Sequence, residues 1–153
     1  METETKAPVI KRVWTERITS LDEVPDAVMI RKTVFLEEQK LPEEVEFDEW
    51  DFKSPHLVVY LDEKPVGTAR LIFKDGKCKY SRVAVLKEAR GKGIGRIIIE
   101  ELEKKAKSEG LKEVYLESQA TAIGFYEKCG YESYGELFIL DTIEHKMMKK
   151  TFE

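Results

Sequence analysis

Short apolar runs and helix-spaced apolar sets divide the chain into ten elements. Residues 9–18 predict a first strand. Ser20, Leu21, Asp22 and Glu23 make a capping-box pattern, a Ser followed three residues later by a Glu. The helix it opens is expected to reach about Gln39, with Val28, Val34 and Phe35 among its buried side chains, and Pro42 stops any extension. Residues 41–55 are expected to form an ordered loop anchored by Phe47, Trp50 and Phe52. Strands follow over 56–62 and 65–74. Asp75-Gly76 is a two-residue hairpin signal into a partner strand over 77–86. A tight turn there makes Arg70 face Ser81, Leu71 face Tyr80 and Ala69 face Arg82. Ile94, Ile98, Leu102 and Ala106 recur every four residues as a helix stripe, with Glu100–Lys104 and Glu103–Lys107 as exterior pairs. Gly110 is the natural C-terminal cap. Residues 113–118 predict a strand, 121–129 a short helix closed by Gly130, and 131–140 and 145–152 two last strands. The order β-α-β-β-β-α-β-α-β-β describes an α/β protein, a mixed sheet covered by helices.

The chain has 153 residues, a length that predicts one domain with a core of its own. Apolar residues at 42% and charged residues at 37% fit a soluble globular protein. No apolar run approaches the ~20 residues of a membrane span. The opening Met-Glu-Thr-Glu-Thr-Lys has neither the basic start nor the apolar stretch of a secretion signal. Cys78 and Cys129 make no metal or redox spacing and read as reduced thiols of a cytoplasmic protein. The net charge of −4 argues against general nucleic-acid binding. It is unevenly spread. Residues 22–51 hold eleven acidic residues against Arg31, Lys32 and Lys40, a net of 3 − 11 = −8, which leaves +4 for the rest of the chain. Such an acidic segment either draws in a cationic ligand through its field or is a solvated helix face.

The basic remainder contains the most informative stretch, Arg82-Val-Ala-Val-Leu-Lys-Glu-Ala-Arg-Gly-Lys-Gly-Ile-Gly-Arg96. A β-branched run leads into a cationic, glycine-rich turn, and the turn leads into a helix. Bare N–H groups, cations and the positive end of a helix dipole then meet at one place, which suits phosphate. A dinucleotide fingerprint needs a third glycine where Arg96 stands, and a P-loop needs a glycine where Leu86 stands. The pattern left is Arg90-x-x-Gly93-x-Gly95.

This pattern resembles the pyrophosphate motif of the GNAT family of acyl-CoA N-acyltransferases. A second stretch, Gln119-Ala-Thr-Ala-Ile-Gly-Phe-Tyr-Glu-Lys-Cys-Gly-Tyr131, is similar to the family's other motif, with Ala122, Phe125, Tyr126, Lys128, Gly130 and Tyr131 in place; the family usually has Asn where Gln119 stands. Val34-Phe-Leu-Glu-Glu-Gln39, with Asp48 and Asp51, is similar to a bacterial subgroup whose substrates are largely unassigned.

The resemblance implies a single N-acetyltransferase domain over 1–153. Its sheet would have about seven mostly antiparallel strands, splayed at the cofactor site, with helices on both faces. Pantetheine of acetyl-CoA would lie in the split, pairing with the backbone of Val83, Ala84 and Val85 as an added strand does. Its pyrophosphate would rest on the stretch Arg90, Gly91, Lys92, Gly93, Ile94, Gly95 and Arg96, with Gln119 and Phe125 as further contacts. A β-bulge near Ala84 would aim an N–H at the thioester carbonyl. Tyr126 sits where the family commonly has its general acid; the plain reading is an aromatic packed beside Phe125. The acceptor amine must lose a proton, at a cost of about 4 to 5 kcal/mol at pH 7 for a lysine-like amine. Glu117 is the first candidate base and Glu38 the second; the plain reading of Glu117 is an ion pair with Arg82. Arg82 is placed on the face of Tyr80 and Leu71, where it either anchors substrate or fixes Glu117, and Arg70 on the opposite face. His56 and His145 could each serve as base or as satisfied structural residues, and Cys129 reads as core.

The leading function is acetyl transfer from acetyl-CoA to a small primary amine in a ternary complex. A protein or peptide amine, a non-catalytic acyl-CoA sensor and a plain nucleotide-binding module stay open, as does a homodimer built on aromatics near the last strands.

Overall fold

The computed structural model describes residues 7–152; the stretch read for a secretion signal lies outside them. Seven strands form one sheet in the order β1-β2-β3-β4-β5-β7-β6. They are β1 (Ile10–Thr15), β2 (His56–Leu61), β3 (Lys64–Lys74), β4 (Lys77–Val85), β5 (Glu113–Gln119), β6 (Glu132–Leu140) and β7 (Ile143–Thr151). β1 is shorter than its apolar run suggests, and Ile18 is buried beyond the strand's end. Every neighbouring pair is antiparallel except β4–β5. The helices are α1 (Pro25–Arg31), α2 (Glu43–Glu46), α3 (Ile94–Ser108) and α4 (Ile123–Lys128).

Alternation along the central strands supplies two cores. Leu57, Val59, Ala69 and Leu71 pack with Ile94, Ile98, Leu102 and Ala106 of α3. Val58 and Ala84 pack on the other face with Ala27, Ile30, Val34 and Phe35. Helices therefore cover both faces. The capping box at Ser20 and Glu23 forms, closing a 3₁₀ turn that leads into α1. α1 then widens into a π-wound segment, Lys32–Glu38, whose end is capped by Gln39 N–H donating to the Val34 carbonyl at 3.0 Å.

The Asp75-Gly76 hairpin sets the expected register at Leu71↔Tyr80 and Arg70↔Ser81. One pair beyond, the register slips by a residue, so that Thr68 pairs with Ala84 and Arg82 takes a left-handed φ of 54°. Ala69 therefore does not face Arg82. The bulge turns Arg82 to the side of Arg70, contrary to the opposite-face expectation. Glu103 also departs from its expected exterior pair: it accepts from Tyr131 Oη at 2.8 Å and from Lys150 Nζ at 3.1 Å. Gly110, at φ +80°, ends α3 as expected. Among the described residues, no helix is long and apolar enough to cross a membrane.

Candidate active site

The sheet splits between β4 and β5. These strands pair only at Cys78↔Val114, Lys79↔Tyr115 and Tyr80↔Leu116. Beyond those three rungs β5 stays paired to β7 through Gln119, while β4 stays paired to β3. The edges carrying Val83, Ala84 and Val85 on one side and Glu117 to Gln119 on the other are left facing a cavity of about 910 Å³. Unpaired strand edges offer N–H and C=O groups to any extended ligand.

The glycine-rich turn closes one end. α3 begins at Ile94, and its first helical bond runs from Ile97 N–H to the Gly93 carbonyl at 3.1 Å. The N–H groups of Gly91 to Arg96 have no backbone acceptor among the described residues, as expected of a helix start. Gly93 caps the helix at φ +81°, a conformation that costs an L side chain. Gly95 lies against Phe125; a Cβ there would stand 3.0 Å from the ring. Gly91, Gly93, Ile94, Gly95 and Arg96 line the cavity, whereas Lys92 lies outside its lining. Arg96 donates to the Lys128 carbonyl at 3.3 Å. Arg90 donates through Nε to the Val85 carbonyl at 3.0 Å and grips Glu38 with two bonds of 2.6 and 2.7 Å. This contact holds the Glu38 carboxyl below the usual carboxylate range.

Two side-chain pairs span or flank the split. Gln39 and Gln119 exchange carboxamide bonds of 3.2 and 2.8 Å across it. Glu117 pairs with Lys79 on the neighbouring strand, not with Arg82 as the sequence suggested. Parallel register is invisible in sequence, so Lys79 gave no signal. Phe125, half-buried, meets Tyr126 edge-on at 5.1 Å, and Tyr126 packs on Tyr131 at 5.9 Å. Tyr126 lines the cavity and is buried, and burial pushes its hydroxyl pKa well up. Cys129 is half-buried and lines the cavity rather than filling the core; burial pushes its thiol up as well.

Opposite the turn, three carboxylates of the acidic segment are consumed internally, while Asp22, Glu23, Glu37, Glu43, Glu44 and Glu49 stay exposed. Arg31 holds Glu46 at 2.8 Å and Asp51 at 2.7 Å; Arg70 holds Asp48 at 2.6 Å and Asp51 at 2.8 Å; Arg82 holds Glu46 at 3.0 Å and Asp48 at 3.3 Å. Arg82 also donates to the Val45 and Glu46 carbonyls. This clamp, and not Phe52, which is exposed, fixes the loop over 43–52 to β3 and the β4 bulge. Burial works against ionisation of Asp51, yet the guanidinium groups of Arg31 and Arg70 outweigh it and hold the carboxyl low. His56 closes this corner as a neutral ring, its pKa lowered by burial, and donates from Nε2 to the Asp51 carbonyl at 2.7 Å.

A sheet split beside a basic glycine turn, with an aromatic helix at its mouth, is the layout of an acyltransferase fold. The chain belongs to the acetyltransferase (GNAT) family, whose sequence profile matches residues 24–131. It is an acyltransferase. It is similar to the uncharacterised N-acetyltransferase YjcF of Bacillus subtilis, with 43% identity over 130 residues covering 84% of this chain and 93% of that one. Among solved structures it is similar to an acyl-CoA N-acyltransferase from Pseudomonas aeruginosa, with a TM-score of 0.82, 27% identity and coverage of 94% and 100%. An aminoglycoside 6′-N-acetyltransferase complexed with coenzyme A shares the fold at a TM-score of 0.70 and 16% identity, covering 94% of this chain and 96% of that one.

Proposed function

We propose that residues 1–153 act as one N-acetyltransferase domain that moves an acetyl group from acetyl-CoA directly to a primary amine of a small molecule, both bound at once. The observation that carries this reading is the coincidence of the β4–β5 split with the unpaired amides of Gly91 to Arg96. Free strand edges suit pantetheine, and a helix start with adjacent cations suits a diphosphate. Acetyl-CoA supplies a thioester, an acyl group already activated toward amines. Val83, Ala84 and Val85 hold its pantetheine arm, Gly91 to Arg96 its diphosphate, and Gln119 and Phe125 flank the arm. The coenzyme A of the related aminoglycoside enzyme supports the same donor here.

The protein's own groups then have distinct tasks. Arg82 keeps the bulge on which the Val83 and Ala84 amides depend, so it acts on the acyl site by positioning. Tyr126 has a hydroxyl far less acidic than a thiol of ordinary pKa near 8.5. It therefore donates a hydrogen bond to the departing sulfur and keeps its own proton. Glu117 and Glu38 each reach the site with a cation attached, Lys79 and Arg90. A small acceptor fits the room left on the side of Phe35, Leu41 and Val45. Calorimetry with acetyl-CoA, followed by thiol release across an amine panel, tests the reading. Binding with no thiol released by any amine would leave an acyl-CoA sensor in its place. Tyr126→Phe is expected to keep acetyl-CoA affinity and lose about tenfold or more in turnover, within the range of one lost transition-state hydrogen bond.

A further inference from the structure

With both carboxylates engaged by cations, the cavity holds a different basic group. His145 lies on β7 opposite Gln119 of β5 and is buried, at 8% exposure, in the cavity lining. Its Nδ1 is 2.7 Å from the Ile143 carbonyl. A carbonyl can only accept, so Nδ1 carries the hydrogen and the neutral ring has its lone pair on Nε2. Phe138 of β6 stacks on the ring at 5.8 Å, with planes 26° apart, and fixes its orientation. Nε2 has no hydrogen-bond partner among the described residues. The other buried polar groups of the lining are committed: Glu46 to Arg31 and Arg82, Ser118 to the Gln119 carbonyl. The fixed tautomer, the stacked ring and the unused lone pair together resemble the way a general base is held elsewhere, with one nitrogen anchored and the other free.

We propose that His145 is the general base of the acyl transfer, taking the proton of the acceptor ammonium on Nε2 directly or through one water. This rests on the acetyl-transfer reading above. The balance is complete without another reactant. The ammonium gives one proton to Nε2, and the neutral amine forms a C–N bond to the thioester carbon. The C–S bond breaks, the sulfur leaves as thiolate, and the second amine proton goes to it. The imidazolium then returns its proton to solvent through the cavity mouth. The groups that face the ring are few. From β6 comes uncharged Phe138, from β5 Gln119 and, one diagonal step away, Glu117 with Lys79, and from the hairpin turn the exposed Asp141.

The test uses the full chain, acetyl-CoA and a primary alkylamine, with an O-alkylhydroxylamine, which is already neutral at pH 7, as the second acceptor. His145→Gln is expected to lower kcat with the alkylamine about 100-fold, to lower the O-alkylhydroxylamine rate far less, and to leave acetyl-CoA affinity by calorimetry unchanged. The acidic limb of the wild-type pH–rate profile is expected to vanish in the variant. His145→Phe, which keeps the stack on Phe138, repeats the measurement if the Gln variant does not fold. Equal losses with both acceptors, or an unchanged acidic limb, would overturn the base role and leave acetyl transfer standing. Wild-type protein that binds acetyl-CoA but releases no thiol with either amine would overturn the transfer reading and this assignment with it.

Discussion

Two polar regions of the molecule are built on opposite terms. The arginine clamp gathers three cations and three carboxylates in a largely buried corner and gives every one a partner. The glycine turn gathers six backbone amides that have no backbone acceptor among the described residues. Satisfied charges at low dielectric make rigid structure; unsatisfied donors at a cavity make a binding site. The comparison separates groups that hold the protein from groups that wait for a ligand.

Breaking the clamp should have the largest effect. Arg31→Met leaves Glu46 and Asp51 without their shared cation and is expected to cost about 3–5 kcal/mol in urea unfolding. Gly93→Ala sharpens the contrast from the other side. It forces an L side chain to φ +81° at a cost of about 1–2 kcal/mol, and acetyl-CoA affinity should fall with it, whereas the clamp variant, where folded, should keep its affinity.

Acid should loosen the corner of the clamp that holds His56 and Asp51. His56 and Asp51 both have pKa values lowered in the folded state, so the unfolded chain binds more protons and stability is lost as pH falls. The His56 share begins to go below about 6.5 and the Asp51 share below about 3.9, the ordinary values. His56→Gln should remove the first slope in a series of urea midpoints against pH and keep the second. The smallest effect belongs to Glu38→Ala. The pair is more than a third exposed on both sides, so the stability change should stay under about 1 kcal/mol. Freeing Arg90 should tighten acetyl-CoA slightly in calorimetry; weaker binding would mean that Glu38 serves the donor site.

The same contrast explains what was legible in the sequence. The turn could be read because its parts are contiguous: Arg90, the glycines and the helix stripe from Ile94 lie within one stretch. The hairpin at Asp75-Gly76 and the succession of seven strands along the chain were readable for the same reason. The clamp was not, since Arg31, Glu46, Asp51, Arg70 and Arg82 meet only after α1, α2 with the turn after it, β3 and β4 fold together. Three arginines in or next to core-forming elements, facing an acidic loop, were its available signal. The register of Arg82 was misread because an inserted bulge residue leaves no trace in an alternating pattern. The pairing of Glu117 with Lys79 depends on a parallel crossover that local spacing cannot fix.

The three-rung seam between β4 and β5 has a mechanical meaning. It joins a four-stranded antiparallel meander to a three-stranded C-terminal sheet, and little else in the sheet bridges them. A strand-like donor lodged in the gap adds rungs that the polypeptide omits, welding the two half-sheets into one. Amide exchange in β4 and β5 should then slow in step on donor binding, even where neither strand touches it.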